Sequence, residues 1–168
     1  MLEQNLYELN EKYNIFMNID SQDKERFKNI IGWAGQMMEL TIKEKLSKQI
    51  NPKRGEIWTC NFGENVGSEV NKIRPVVVLQ NNIGNAKSPT TIVIPITTRE
   101  ERQPTHVGLE DDDFVYVENC IKGTVLTEQI RIISKARLGR KIAELSENTV
   151  KRIEEATKIA LGFAELKE

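Results

Sequence analysis

Histidine and cysteine are almost missing from this chain, with one His and two Cys in 168 residues. Cys60 and Cys120 lie far apart with no C-x-x-C spacing. A zinc site takes about four ligands from such residues, so their scarcity argues against one. Both thiols read as reduced. An excess of either charge is missing too: 24 Lys and Arg face 25 Asp and Glu, a formal net charge of −1. No global basic footprint marks a nucleic-acid binder. No apolar run approaches the roughly 20 residues of a membrane span. The opening MLEQNLYELNEKYNIF is acidic and lacks a basic n-region, so it does not read as a signal peptide. A cytoplasmic protein with no membrane partner is the expectation.

Proline is absent before Pro52, and so is strand-like alternation. Residues 1–50 therefore read as a helical extension and residues 51–168 as a separate domain. A helix is predicted from about Gln22 to Lys48, capped by Asp20 or Ser21. Phe27, Ile30, Ile31, Ala34, Met37, Met38, Ile42 and Leu46 recur on it at helical spacing. Gly32 weakens it by about 1 kcal/mol relative to Ala. A shorter helix in residues 1–17 carries Leu6, Leu9, Tyr13 and Phe16 on one side.

After Pro52 the period changes. Glu56–Phe62, Pro75–Gln80, Thr90–Thr97, Thr105–Leu109, Thr124–Glu128, Gln129–Ile133 and Lys141–Leu145 read as short strands. Pro95 argues for an edge or a bulge in the third. Short strands, short turns and no long helix between them predict a mostly β, α+β domain built on a small antiparallel barrel. Ser146 is placed to cap a closing helix with an apolar stripe Val150, Ile153, Ala156, Ile159, Ala160, and Gly162 to stop it. Charge is segregated: Glu110–Asp113 form an acidic loop, and Arg131, Lys135, Arg137, Arg140 and Lys141 form a basic run. That run reads equally as a phosphate track or as solvated surface.

Six blocks follow one another in the second part: KRGEIW, GSEVNKIRPVVVLQNNIGN, SPTTIVIPIT, PTHVGL, VLTEQIRII and KARLGR…LSENTV…ALGF. In this order they resemble the MazF/PemK toxin family, the ribonuclease half of bacterial type II toxin–antitoxin pairs. The resemblance runs from about Pro52 to Phe163 and leaves out residues 1–50. It implies an SH3-like barrel with a C-terminal helix, preceded here by the N-terminal helical extension. It also implies a homodimer, a cognate antitoxin protein as partner, and sequence-selective cleavage of single-stranded RNA without a metal or nucleotide cofactor. The family's catalytic arginine falls on Arg74, its threonine on Thr97 and its acidic loop residue on Glu69.

The residue types suit that chemistry. RNA carries its own nucleophile, the 2′-hydroxyl, so the protein must orient it, neutralise phosphoryl charge and move protons. A guanidinium bonds two phosphate oxygens at once, and a threonine hydroxyl adds a donor. Thr97 has no evident neighbouring base to make it a nucleophile. Proton transfer is the open point: arginine is a poor base, and Glu69 is either a base, an orienter of Arg74 or loop structure. His106, the one imidazole, reads as mainly structural at the start of a strand. Expected products are a 2′,3′-cyclic phosphate, or its opened 3′-phosphate, and a 5′-hydroxyl. Ser68, Asn81, Asn85 and Gln129 are candidate RNA contacts, although turn chemistry explains the asparagines equally well. Trp58 either stacks a base or belongs to a core or a dimer interface. Gly67 and Gly84 serve turns. The N-terminal extension either packs on the barrel or a partner subunit, or borders the groove where RNA or the antitoxin lies. The competing function is a non-enzymatic toxin of the same fold aimed at a protein target such as DNA gyrase.

Overall fold

A computed structural model describes residues 2–18, 21–45, 49–98, 103–118 and 121–165. The expected cap at Asp20, Leu46, the helix end at Lys48 and Cys120 lie outside these. The chain forms two compact units, Met1–Leu40 and Thr41–Glu168.

The first unit is helical. Helix α1 spans Leu2–Met17, and α2 runs from Ser21 to Glu44, past the unit's end. The rings of Tyr13 and Phe27 meet with centroids 5.8 Å apart. Trp33 is buried, but Ile30, Ile31, Met37, Met38 and Ile42 are exposed. The periodic stripe is thus helical, as its spacing predicts, yet much of it faces solvent.

The second unit is a curled antiparallel sheet closed by a helix. Its strands are β1 (Glu56–Asn61), β2 (Ile73–Val78), β3 (Thr90–Thr97), β4 (His106–Leu109), β5 (Phe114–Val117), β6 (Gly123–Leu126), β7 (Arg131–Ser134) and β8 (Leu138–Leu145). The order across the sheet is β4-β6-β3-β2-β1-β8-β5, with β7 also pairing β3. Both faces of the central strands are covered. Val77, Ile94 and Ile96 pack with Ile153 and Ala156 of helix α4 (Glu147–Ala160). Val76, Val78 and Val93 pack with Cys60, Phe62, Ile133 and Leu138. Burial on both sides is why β2 reads as an unbroken valine run rather than an alternation.

Pro95 belongs to neither an edge nor a bulge. It lies in the middle of the sheet, across from Val76 of β2. On the other side of β3 the partner changes: Thr90–Val93 pair with β7, and Ile96 and Thr97 pair with β6. Pro95 sits in the gap between those two ladders, where a residue without an N–H costs least.

Two elements were not evident from the sequence: β5, and the short helix α3 (Asn82–Lys87) between β2 and β3. The acidic stretch is a single helical turn, and its Asp113 is buried, accepting from Thr149 Oγ1 (2.7 Å) and Arg152 Nη1 (2.6 Å) of α4. Helix α4 begins as predicted, with Ser146 Oγ accepting from the Thr149 N–H at 3.2 Å. It ends at a left-handed Gly162 (φ +75°).

Candidate active site

Arg74 is the second residue of β2, and Thr97 is the last residue of β3. The β2–β3 ladder pairs Val78 with Val93 and Val76 with Pro95. Carried two residues further, the same register sets Arg74 across from Thr97. Residues two apart in a strand share a face. Arginine and threonine therefore continue the apolar row of Val76, Val78 and Val93 and emerge where that row opens to solvent.

Both line one cleft of about 680 Å³, together with Ser68, Glu69, Glu128 and Gln129. Three pieces of chain build it. The first is the end of the β2–β3 pair. The second is the loop between β1 and β2, which the Phe62 N–H closes by donating to Lys72 O (2.9 Å) and the Lys72 N–H by donating to Gly63 O (2.7 Å). Gly67 stands at φ +61° in that loop, a conformation glycine adopts without steric cost. The third is the tight turn Thr127–Gln129 after β6. Buried Thr127 fastens that turn by donating its hydroxyl to the carbonyl of Thr105.

Arg74 Nε donates to the Asn71 carbonyl at 3.2 Å. Arg74 lines the cleft, and among the described residues no carboxylate pairs with its guanidinium. A backbone carbonyl thus orients the arginine through Nε. Thr97 owes its position to Gly123 of β6: a Cβ there would meet Thr97 O at 2.4 Å and Ile96 Cγ2 at 2.9 Å. Among the described residues, no grouping of three or more His, Cys, Asp or Glu side chains is placed to hold a metal.

Three of the expected RNA contacts have partners within the fold. Asn85 is wholly buried. It donates Nδ2–H to Gln80 O (2.9 Å) and accepts the Thr91 hydroxyl on Oδ1 (2.7 Å), so no base edge can reach it. Asn81 caps α3, its Oδ1 accepting the Gly84 N–H at 2.8 Å, and lies away from the cleft. Gln129 lines the cleft, but both ends of its amide hold the β1–β2 loop. Its Oε1 accepts the Val70 N–H (3.0 Å), and its Nε2 donates to Ser68 O (3.4 Å). It is a clamp on the loop that carries Ser68 and Glu69. Turn and cap chemistry, the alternative for the asparagines, is what the structure uses.

The residues of the basic run each have a partner within the fold. Lys135 is buried and donates to the Asn85 carbonyl, and burial pushes its ammonium pKa down. Arg137 donates to the carbonyls of Asn61 and Phe62, both at 3.1 Å. Arg131 stacks over the Phe62 ring, and Arg140 pairs with Glu118. Lys141 bridges Glu56 (2.9 Å) and Glu144 (2.6 Å). Trp58 gives its indole N–H to Glu56 at 2.9 Å and does not line the cleft. Cys60 is buried, and burial pushes its thiol up to about 12, which leaves it unreactive.

Glu128 is not among the expected contacts, although the family resemblance sets it beside Gln129 near the groove. Glu128 neighbours Gln129 in the turn, and its Oε1 lies 3.2 Å from Nε2 of His106. A carboxylate only accepts, so the ring nitrogen is the donor. His106 is structural in placement, as its strand position predicts, but its polar end reaches the site.

Fold and cleft together define a small β-domain with an arginine–hydroxyl pair at a groove mouth, and comparison with known proteins gives that class a family. Residues 53–161 match the family described as PemK-like, MazF-like toxin of type II toxin–antitoxin systems. The chain is 38% identical over 113 residues to Endoribonuclease EndoA of Bacillus subtilis (strain 168), an overlap covering 66% of this chain and 95% of that protein. Its fold matches MazF of Deinococcus radiodurans, with a TM-score of 0.60 and 23% identity, over 68% of this chain and 99% of that one. A mycobacterial endoribonuclease solved with its cognate antitoxin matches with a TM-score of 0.57 and 24% identity, over 68% and 99% of the two chains. The chain belongs to the MazF/PemK family of type II toxins. The family match leaves out the N-terminal helices. No described helix is long and apolar enough to cross a membrane.

Proposed function

We propose that this toxin is a sequence-selective endoribonuclease that cleaves single-stranded RNA in the cleft between Arg74 and Thr97. The observation that carries the reading is the cross-strand placement of those two residues, with the terminal guanidinium nitrogens unpaired among the described residues. A phosphodiester seated there meets two parallel guanidinium N–H groups and a hydroxyl. Charge-assisted bonds of this kind are worth about 1.5–3 kcal/mol each, and aiming them where charge develops directs that energy to the transition state. The RNA 2′-oxygen attacks phosphorus, the O2′–P bond forms, and the P–O5′ bond breaks. One proton leaves the 2′-hydroxyl and one arrives on O5′ from solvent water, so the proton count is unchanged once Glu69 returns its proton to solvent. Glu69 is the group to take the first, because Glu128 is already bonded to His106. The products are a 2′,3′-cyclic phosphate and a 5′-hydroxyl.

The family and its solved complexes support the rest of the reading: a cytoplasmic homodimer held in check by a cognate antitoxin. The test is cleavage of a long single-stranded RNA in EDTA, with wild type beside Arg74→Ala and fragment ends mapped. Discrete cuts with 5′-hydroxyl ends, lost in the variant, are expected. Growth arrest that survives Arg74→Ala would instead indicate a protein-directed toxin.

A further inference from the structure

Among the described residues lining the cleft, Arg74 is the one lysine or arginine, and it stands with two carboxylates, Glu69 and Glu128. Glu69 has a proton to accept in the reaction proposed above. Glu128 has no such task, yet it is the better held of the two. Its partner His106 is almost wholly buried, with 2% of its side chain exposed, while Glu128 keeps 40% exposed. His106 sits in β4, across from Leu126 at the end of β6, where the Glu128 turn begins. Buried Thr127 pins the intervening backbone. A carboxylate aimed this way into a cleft is a built feature rather than a wandering surface charge.

A carboxylate accepts hydrogen bonds and cannot donate them. It repels phosphate, so it does not position the backbone. The donors that single-stranded RNA offers are 2′-hydroxyls and the N–H groups of splayed bases, and sequence is read from the latter. With Oε1 engaged by His106, Oε2 is left to take one further donor. We propose that Glu128 is a specificity residue, which accepts the exocyclic amino group of one base next to the scissile bond and so selects adenine, cytosine or guanine against uracil there. His106 is its positioning residue. The inference rests on the cleft being the RNA site.

The experiment is cleavage of a pool of single-stranded RNAs, randomised over a short window, in EDTA, with products sequenced. Wild type, Glu128→Gln and His106→Ala are run side by side. Wild type is expected to disfavour uracil at one position next to the cut. In Glu128→Gln the amide NH₂ can serve uracil O4, so that bias is expected to fall by about tenfold or more, in keeping with the loss of a charge-assisted bond. Preferences at other positions stay. His106→Ala is expected to relax the same position, whereas a merely structural role would lower all sites together. An unchanged base profile in Glu128→Gln, a uniform loss at every site, or a wild type indifferent to uracil at every position overturns the assignment. A wild type that cuts nowhere refutes the RNA cleft itself, and the inference with it.

Discussion

Replacing Arg74 with lysine separates charge from shape. The arginine lines the cleft and is anchored through Nε by the Asn71 carbonyl, which leaves its two terminal nitrogens to bond a ligand. A phosphate bound there takes two charge-assisted hydrogen bonds, each worth about 1.5–3 kcal/mol. Lysine keeps the charge but presents a single ammonium and loses the anchor. One of the two bonds goes, which at about 1.4 kcal/mol per decade is a loss of about 10- to 150-fold in kcat/KM. Alanine removes both bonds, about 3–6 kcal/mol, or roughly two to four decades. The loss should fall mainly on kcat, because the bonds tighten as negative charge gathers on the phosphoryl oxygens. Initial rates on a short quenched-fluorophore RNA in EDTA measure all three proteins, with thermal melts confirming that each is folded. A lysine variant within threefold of wild type, or an alanine variant no slower than the lysine one, would falsify the two-bond geometry.

Other consequences concern what holds the cleft in place. Asn85→Ala leaves the Gln80 carbonyl and the Thr91 hydroxyl without their buried partner, so chemical denaturation should show about 2–4 kcal/mol of lost stability, with cleavage-site preference unchanged. Gly123→Ala drives a methyl into the Thr97 carbonyl, and kcat/KM should fall about tenfold or more at temperatures where the fold persists. Glu56 is pushed up by burial, but donors from Lys53, Lys141 and Trp58 outweigh this and hold it below its ordinary 4.5. A carboxyl with a lowered folded pKa stabilises above the unfolded value, and that contribution disappears as pH falls through the folded one. The melting temperature of wild type should therefore drop more steeply below about pH 4.5 than that of Glu56→Gln, as followed by acid-range melts.

The sheet was legible in the sequence because β-branched residues cluster in Pro75–Gln80 and Thr90–Thr97. Strand β5 was not. Val115, Tyr116 and Val117 are exposed, so no core-facing alternation marks them, and the neighbouring aspartates suggested a loop. Helix α3 hid behind glycine and asparagine, which at Asn81 serve a cap rather than a hairpin. Ser68, Glu69, Arg74, Thr97 and Gln129 were named from motif order, and all five line one cleft. Asn85 could not be judged from its neighbours in sequence, because what removes it from the surface is contact with Thr91 and Lys135. The role of Glu128 was equally hidden, since His106 lies 22 residues away along the chain.

The segment between β2 and β3 limits how this protein can change. Asn85 ties the end of one strand, at Gln80, to the start of the next, at Thr91, and Lys135 binds it from a third direction. The strands it joins are the ones that carry Arg74 and Thr97 at their far ends. A slip of one residue between them would turn Thr97 toward the interior and bring Ile96 into its place. Insertions in α3 are therefore expected to cost activity by shifting that register, although its residues do not line the described cleft. Descendants of this chain can drift in what they cut by altering the rim of the groove. The register that sets Arg74 across from Thr97 is held at the opposite end of their strands, by Asn85 in a short helix.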